Sequence, residues 1–187
     1  IAVQGDQPWL TFRCASGSFG ASICGFSGAE NIRTIATTAS GETWFGTESG
    51  LSLRGGPDDW EGFLNRIWGG PLVAGYVRDV LPLDDGRVLV ATAVATTAPD
   101  GSPALTPIAG LQVFDGTTWS SLGESSPEFR VWDLERDGSG RLWMATEAGL
   151  FELDLATDPP TLIAQDESRG LPWTRATALA SRGDLVI

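Results

Sequence analysis

Trp44-Phe45-Gly46-Thr47-Glu48-Ser49-Gly50-Leu51 is answered further along the chain by Trp143-Met144-Ala145-Thr146-Glu147-Ala148-Gly149-Leu150. A weaker copy, Leu89-Val90-Ala91-Thr92, reaches its Gly110-Leu111 only after an insertion. With the residue after the Trp, or after its replacement, as the marker, Phe45, Val90 and Met144 are separated by steps of 45 and 54 residues. Gly183-Asp184-Leu185-Val186-Ile187 matches Gly140-Arg141-Leu142-Trp143-Met144 a further 43 residues on, and Ile1-Ala2-Val3 reads as the same strand 44 residues before Phe45. Self-similarity at a period of about 40–45 residues, with several short apolar segments per unit, is the signature of four-stranded propeller blades. A helical repeat of that length needs long apolar stripes at 3.6-residue spacing, and the chain has none.

The composition agrees. The 187 residues are 42% hydrophobic, enough for a real core, and 24 Gly and 11 Pro scattered between apolar segments suit many short strands joined by tight turns. No apolar run approaches the length needed to span a bilayer, so no direct membrane insertion is expected. The net charge of −12 argues against a nucleic-acid partner, which requires clustered cations. All 12 basic residues are Arg, and His is absent. The commonest general base and the commonest metal ligand are therefore missing, and neither a metal nor a cofactor is expected. Cys14 and Cys24 flank a small-residue stretch able to form a hairpin loop. They fit either a cross-strand disulfide, which implies an oxidising compartment, or two buried thiols.

One unit reads in full. Phe129 to Glu135 alternates apolar and polar, Asp137-Gly138-Ser139-Gly140 is a turn, Arg141 to Thr146 is a second strand, Leu150 to Asp154 a third and Thr161 to Gln165 a fourth. The expected organisation is a single propeller segment over residues 1–187. It comprises outer strands of a blade in 1–28, blades over 29–70, 71–126 and 127–170, and inner strands of a further blade in 171–187, at Thr174 to Ala180 and Leu185 to Ile187. The repeated Trp is read as an apolar plate packed between neighbouring sheets, and small Gly46, Ala91 and Ala145 as sites where a neighbour approaches closely. Both ends fall mid-strand, which predicts a segment of a larger ring rather than a closed four-bladed one.

The phrase Asp137-Gly138-Ser139-Gly140-Arg141-Leu142-Trp143-Met144-Ala145-Thr146-Glu147-Ala148-Gly149-Leu150 resembles the two-component regulator propeller repeat family, with Ala145 for the usual Gly. Ser40 to Leu51 is equally close; the copy from Asp84 to Thr92 lacks the Trp, and the copy ending at Ile187 is truncated. The resemblance covers nearly the whole chain. It implies a ring of about seven or eight blades, used as a sensor ectodomain of bacterial hybrid histidine kinases or as an interaction platform. What it implies is recognition rather than chemistry.

The largest departure from the repeat is the insertion from Ala93 to Ala109, whose stretch around Thr97 and Asp100 is expected to be a polar, mobile loop available for binding. Trp68, in Asn65 to Leu72, and Trp173, in Ser168 to Trp173, lie outside the strand plan beside Arg residues. They read as binding residues or as plugs between blades. Asp58-Asp59 and Asp84-Asp85 sit beside turn glycines and read as turn formers. An Asp-box of the sialidase kind fails, because Ala39 stands where its Asp belongs and Tyr76, the only tyrosine, lies inside a strand.

The function expected is a non-catalytic binding or sensor module, in the periplasm or outside the cell, that recognises a small ligand or a protein through loops on one ring face. Two alternatives stand beside it: a structural or protein-interaction subunit of a larger assembly, which fits a cytoplasmic setting as well, and a propeller hydrolase or lyase whose catalytic groups lie outside this segment.

Overall fold

The strand Ile32–Thr37 half-buries every second side chain, Ile32, Thr34 and Ala36, as a pleated strand on a sheet surface does. The computed structural model describes residues 31–56, 59–63, 71–72, 74–97, 103–122, 131–157, 160–165 and 175–187. Within them the first sheet is β1 (Ile32–Thr37), β2 (Thr43–Thr47), β3 (Leu51–Arg54) and β4 (Trp60–Phe63). The second is β5 (Tyr76–Pro82), β6 (Val88–Thr97), β7 (Pro103–Phe114) and β8 (Trp119–Ser121). The third is β9 (Val131–Arg136), β10 (Leu142–Thr146), β11 (Gly149–Asp154) and β12 (Thr161–Gln165). Each is an antiparallel meander with its strands in chain order. A hairpin of β13 (Ser181–Arg182) and β14 (Leu185–Val186) follows. The described fold is thus all-β: three four-stranded leaves and a hairpin.

The turn between the first two strands repeats in all four units. Gly41, Gly86, Gly140 and Gly183 occupy one repeat position, and all have positive φ, between 61° and 92°. Only glycine takes that conformation without a Cβ penalty, so the turn type is set at this residue. In the turn at the other end of the repeated phrase the Thr hydroxyl does the work. Thr47 Oγ1 donates to Gly50 O (2.9 Å) and Thr146 Oγ1 to Gly149 O (2.7 Å).

The leaves stack through two apolar seams. β6 turns Val88 and Val90 toward the first sheet, where they meet Trp44, Leu51 and Phe63. It turns Leu89 and Ala91 the other way, onto Leu134, Leu142 and Met144 of the third sheet. Trp44 lies 5.6 Å from Phe63 and 5.7 Å from Phe114, and Trp119 stacks on Phe114 at 4.9 Å. Trp44 is therefore the inter-sheet plate that its recurrence predicted. Gly46 is the close approach: a Cβ there would lie 2.6 Å from Val77 Cγ1 of the next sheet.

Two expectations require correction. Most of the described insertion is strand rather than loop. β6 and β7 run on into it as a paired ladder, Ala95 opposite Leu105, Thr96 opposite Ala104 and Thr97 opposite Pro103. Its flanks, Ala93 to Thr97 and Ala104 to Ile108, consist largely of small and β-branched residues with no charge, which a ladder accepts readily. The second correction concerns Thr174 to Ala180. The terminal ladder pairs only Ser181 with Val186 and Arg182 with Leu185, extended by the mutual backbone bonds of Ala180 and Ile187. Ile187 lies opposite Ala180, and residues 175–179 are not strand.

Candidate functional site

Each first strand carries a bulge at the same place. Ile32 and Thr34 pair with Thr47 and Gly46, so Arg33 has no partner in β2. Val77 and Asp79 likewise pair with Thr92 and Ala91, passing over Arg78, and Val131 and Asp133 pair with Thr146 and Ala145, passing over Trp132. A bulge re-aims the extra residue out of the pleat, and bulges concentrate next to functional sites. Arg175 stands at the same repeat position in the fourth unit, next to Ala176, whose N–H donates to Thr146 O at 2.9 Å.

These four residues, with Tyr76 at the start of β5, form a continuous stack. The Arg33 and Arg78 guanidinium carbons lie 5.4 and 4.7 Å from the centre of the Tyr76 ring. Those of Arg78 and Arg175 lie 4.4 and 5.4 Å from the centre of the Trp132 ring. The order is Arg33, Tyr76, Arg78, Trp132, Arg175: cation and ring in alternation across four units. All five are at least partly accessible. Face-on contact with a ring is attractive for a cation. Arg78, the central cation, keeps Nε and Nη2 buried between the two rings' strands, whereas Arg33 and Arg175 are exposed.

Carboxylates tie together the strands that carry the stack. Asp79, the residue after the Arg78 bulge, accepts from Thr34 Oγ1 (2.7 Å), from Val80 N (2.8 Å) and from Leu134 N (2.8 Å). It joins the first strands of three consecutive sheets. Burial pushes its carboxyl up to about 6, against those hydrogen bonds and with a further push from Asp133. Asp133 repeats the stitch, accepting from Leu179 N at 2.7 Å. At the first rung the Arg33 guanidinium forms an ion pair with Glu48, whose other oxygen accepts from Asn31 Nδ2 at 2.9 Å. The Asn31 and Arg33 bonds hold the Glu48 carboxyl below its ordinary range, and the bond to Glu48 raises Arg33.

The opposite face, built from the glycine turns, carries two clefts. One, of about 270 Å³, lies between the first two sheets and includes Glu42, Trp44, Asp59 and Glu61 in its lining. The other, of about 440 Å³, lies between the second and third and includes Asp84, Asp85, Arg87, Arg136 and Arg141. The arginines there are paired: Arg87 with Asp85 at 2.7 Å and Arg141 with Asp137 at 2.8 Å within their turns, and Arg136 with Asp84 between the sheets. Asp85 thus serves the turn, as its composition predicted, accepting at Oδ1 from Arg87 N at 3.1 Å, while Asp84 reaches across to Arg136.

The residues picked from the sequence fare unevenly. Thr97 ends β6, at the tip side of the lengthened hairpin. Trp68, Asp100, Trp173, Cys14 and Cys24 lie outside the described residues. Arg33, Arg78, Trp132 and Arg175 were missed. The signal was present, because the steps of 45, 54 and 43 residues that mark the repeat lead from Arg33 to each of the other three in turn. Among the described residues no cluster of acidic or thiol side chains could hold a metal ion, and no helix is long and apolar enough to cross a membrane.

No family model and no curated protein matches the chain. Among solved structures, it is similar to the extracellular domain of the hybrid two-component system protein BT3049 from B. thetaiotaomicron, with a TM-score of 0.60 and 16% identity. The match covers 99% of this chain and 23% of that one. The chain therefore spans about a quarter of that structure's length, and the likeness is one of fold: an all-β, propeller-like segment.

Proposed function

We propose that this chain is part of a ring of about seven or eight blades, of the two-component regulator propeller kind, that works as a non-catalytic recognition module facing the periplasm or the cell exterior. The observation that carries the reading is the row of bulged side chains. At one repeat position the fold withdraws a residue from the ladder and sends it to the face that also bears the lengthened β6–β7 hairpin. Scaffold positions elsewhere repeat closely; here they become a row of cations and rings, the composition of a recognition surface. The likeness to an extracellular domain of a hybrid two-component system supports the sensor assignment. On the opposite face Asp85 and Asp137 are engaged in their turns.

A thermal-shift screen of metabolites and oligosaccharides on the intact protein tests this. The expected result is a stabilising compound that is recovered chemically unchanged. Its effect should be lost in Trp132→Ala and in a variant with the β6–β7 hairpin cut back to the length of β2–β3, and kept in Arg87→Gln on the opposite face. Turnover of the compound, or loss of binding only in Arg87→Gln, would overturn the reading.

A further inference from the structure

Asp79 and Asp133 meet at the boundary between the second and third sheets. Asp79 Oδ2 and Asp133 Oδ1 accept from one and the same N–H, that of Leu134, at 2.8 and 3.1 Å. Their other oxygens are occupied elsewhere: Asp79 Oδ1 by Thr34 Oγ1 and Val80 N, and Asp133 Oδ2 by Leu179 N. A single N–H does not neutralise two carboxylates. Oxygens gathered on one hydrogen either share a proton, one carboxyl donating to the other, or repel as like charges. We infer that Asp79 and Asp133 form a proton-operated clasp between the two sheets: one proton taken from solvent closes it and holds Arg78 against Trp132, and loss of that proton opens it and slackens the row. This rests on the recognition role proposed above and adds control by pH to that role.

Three observations support the clasp. Arg78 and Trp132 immediately precede the two aspartates, and the guanidinium carbon lies 4.4 Å from the centre of the indole ring, so a change in the clasp is felt one residue away, at the middle of the row. Burial, with a further push from Asp133, raises the Asp79 carboxyl from an ordinary 3.8 to about 6, against the hydrogen bonds from Thr34, Leu134 and Val80. In the folded chain the clasp is therefore closed below about pH 6 and open above it. The chain has no His, and the acid pair supplies the titration near pH 6 that His usually provides. The charged groups on the elements packed against the clasp are few. β2 and β6 carry none. β1 carries Arg33, paired with Glu48; β9 carries Glu135, which accepts from Ser181 Oγ at 2.6 Å, and Arg136, paired with Asp84. Arg78, on β5 itself, lies over the Tyr76 and Trp132 rings, and Arg175 lies over Trp132. A local charge change that biases two arrangements of a packed boundary is the usual form of a pH switch.

The test follows the Asp carboxyl carbons of the intact protein by NMR from pH 4 to 8. The expected result is that the pair takes up one proton with a midpoint of about 6. Amide exchange at Leu134 and Leu179, corrected for its intrinsic pH dependence, should be about tenfold slower at pH 5 than at pH 7.5. Asp79→Asn puts a fixed amide donor where the shared proton sits, keeps the clasp closed and should hold the slow exchange at both pH values. Trp132 emission, obtained by subtracting the spectrum of the matching Trp132→Phe variant, should shift between the two pH values in the unaltered protein and stay constant in Asp79→Asn. Separate titration of both aspartates below pH 5, equal protection at the two pH values, or persistent pH dependence in Asp79→Asn would each overturn the inference. The first two outcomes are read on the unaltered protein, so they decide the matter even where Asp79→Asn fails to fold. A ligand from the metabolite screen that depends on Trp132, in a protein whose exchange is flat with pH, would leave the recognition role standing while the clasp falls. A clasp that titrates as expected in a protein with no ligand would do the reverse.

Discussion

At Trp143 the indole N–H donates to Asp137 Oδ2 at 2.9 Å; at Trp44, its counterpart in the first sheet, the same group is buried without a hydrogen-bond partner. The difference lies in two of three residues at matching positions, the serine being common to both. Asp137, Ser139 and Arg141 precede Trp143, where Thr38, Ser40 and Glu42 precede Trp44. The Asp137 side chain is fully buried and accepts from Ser139 N and Oγ, Arg141 N and Nε, and Trp143 Nε1. Burial by itself would raise its carboxyl; the donors from Ser139, Trp143 and Arg141 outweigh burial and hold it well below the ordinary range. In the first sheet Thr38 Oγ1 meets Ser40 and Glu42 but does not reach the indole. Trp44 is fixed instead by the rings around it, Phe63 and Phe114, each pair adding about 0.5–1.5 kcal/mol beyond area burial. One backbone site is sealed by a charged hydrogen-bond network in one leaf and by aromatic packing in another.

The largest effect expected from this contrast is at Asp137. Asp137→Ala strands five donors, and denaturant unfolding should show a loss of about 3–4 kcal/mol. Thr38→Ala, the matching change, should cost about 1 kcal/mol or less, since no buried charge network depends on it. Equal losses would erase the distinction.

A second test uses the carboxylate that joins the first and third sheets to the second. The Asp79 carboxyl is raised to about 6 from an ordinary 3.8, so the folded state binds its proton more tightly than the unfolded chain does. Its contribution to stability is complete below about pH 4, declines as pH rises to about 6, and is flat above that. The decline amounts to up to about 3 kcal/mol. Urea unfolding between pH 4 and 7.5 should show it, and Asp79→Asn should remove it while leaving the acid-side behaviour of Asp137 in place.

The seams differ in tolerance as well. Gly46→Ala drives a methyl into Val77 and Thr34 and should cost about 2 kcal/mol, whereas Ala91 and Ala145, at the same position in the next two sheets, already carry that methyl buried. The smallest effect is a gain. Thr38→Asp alone places a carboxylate beside Glu42, but the double change Thr38→Asp with Glu42→Arg transfers the whole Asp137 network. It should raise stability by about 1 kcal/mol, read as a higher unfolding midpoint.

The architecture was legible because its determinants recur: the Trp-x-Gly/Ala-Thr phrase, the turn glycines and the alternating strands each state the unit again. Strand ends moved by a residue or two, except at the strand expected over Thr174 to Ala180 and where the insertion proved to be ladder. There Pro103 and the Asp-Gly step suggested a loop, yet small and β-branched flanks carried the pairing onward. The row of arginines was harder to read for a physical reason. A bulge breaks the period of two, so Arg33 and Arg78 look like ordinary solvent-facing residues of an alternating strand. Only the longer period shows them to be one column. Asp137 posed the opposite difficulty: it read as a turn former, and its bond to the indole six residues on needed coordinates.

The bulge itself separates two kinds of inheritance. A residue that the ladder skips completes no backbone pair with the second strand, so exchanging it leaves the pairing of the sheet in place. Selection can rewrite position 33, 78, 132 or 175 to suit a new chemical signal without renegotiating the scaffold, as a lock is rekeyed by changing pins and keeping the cylinder.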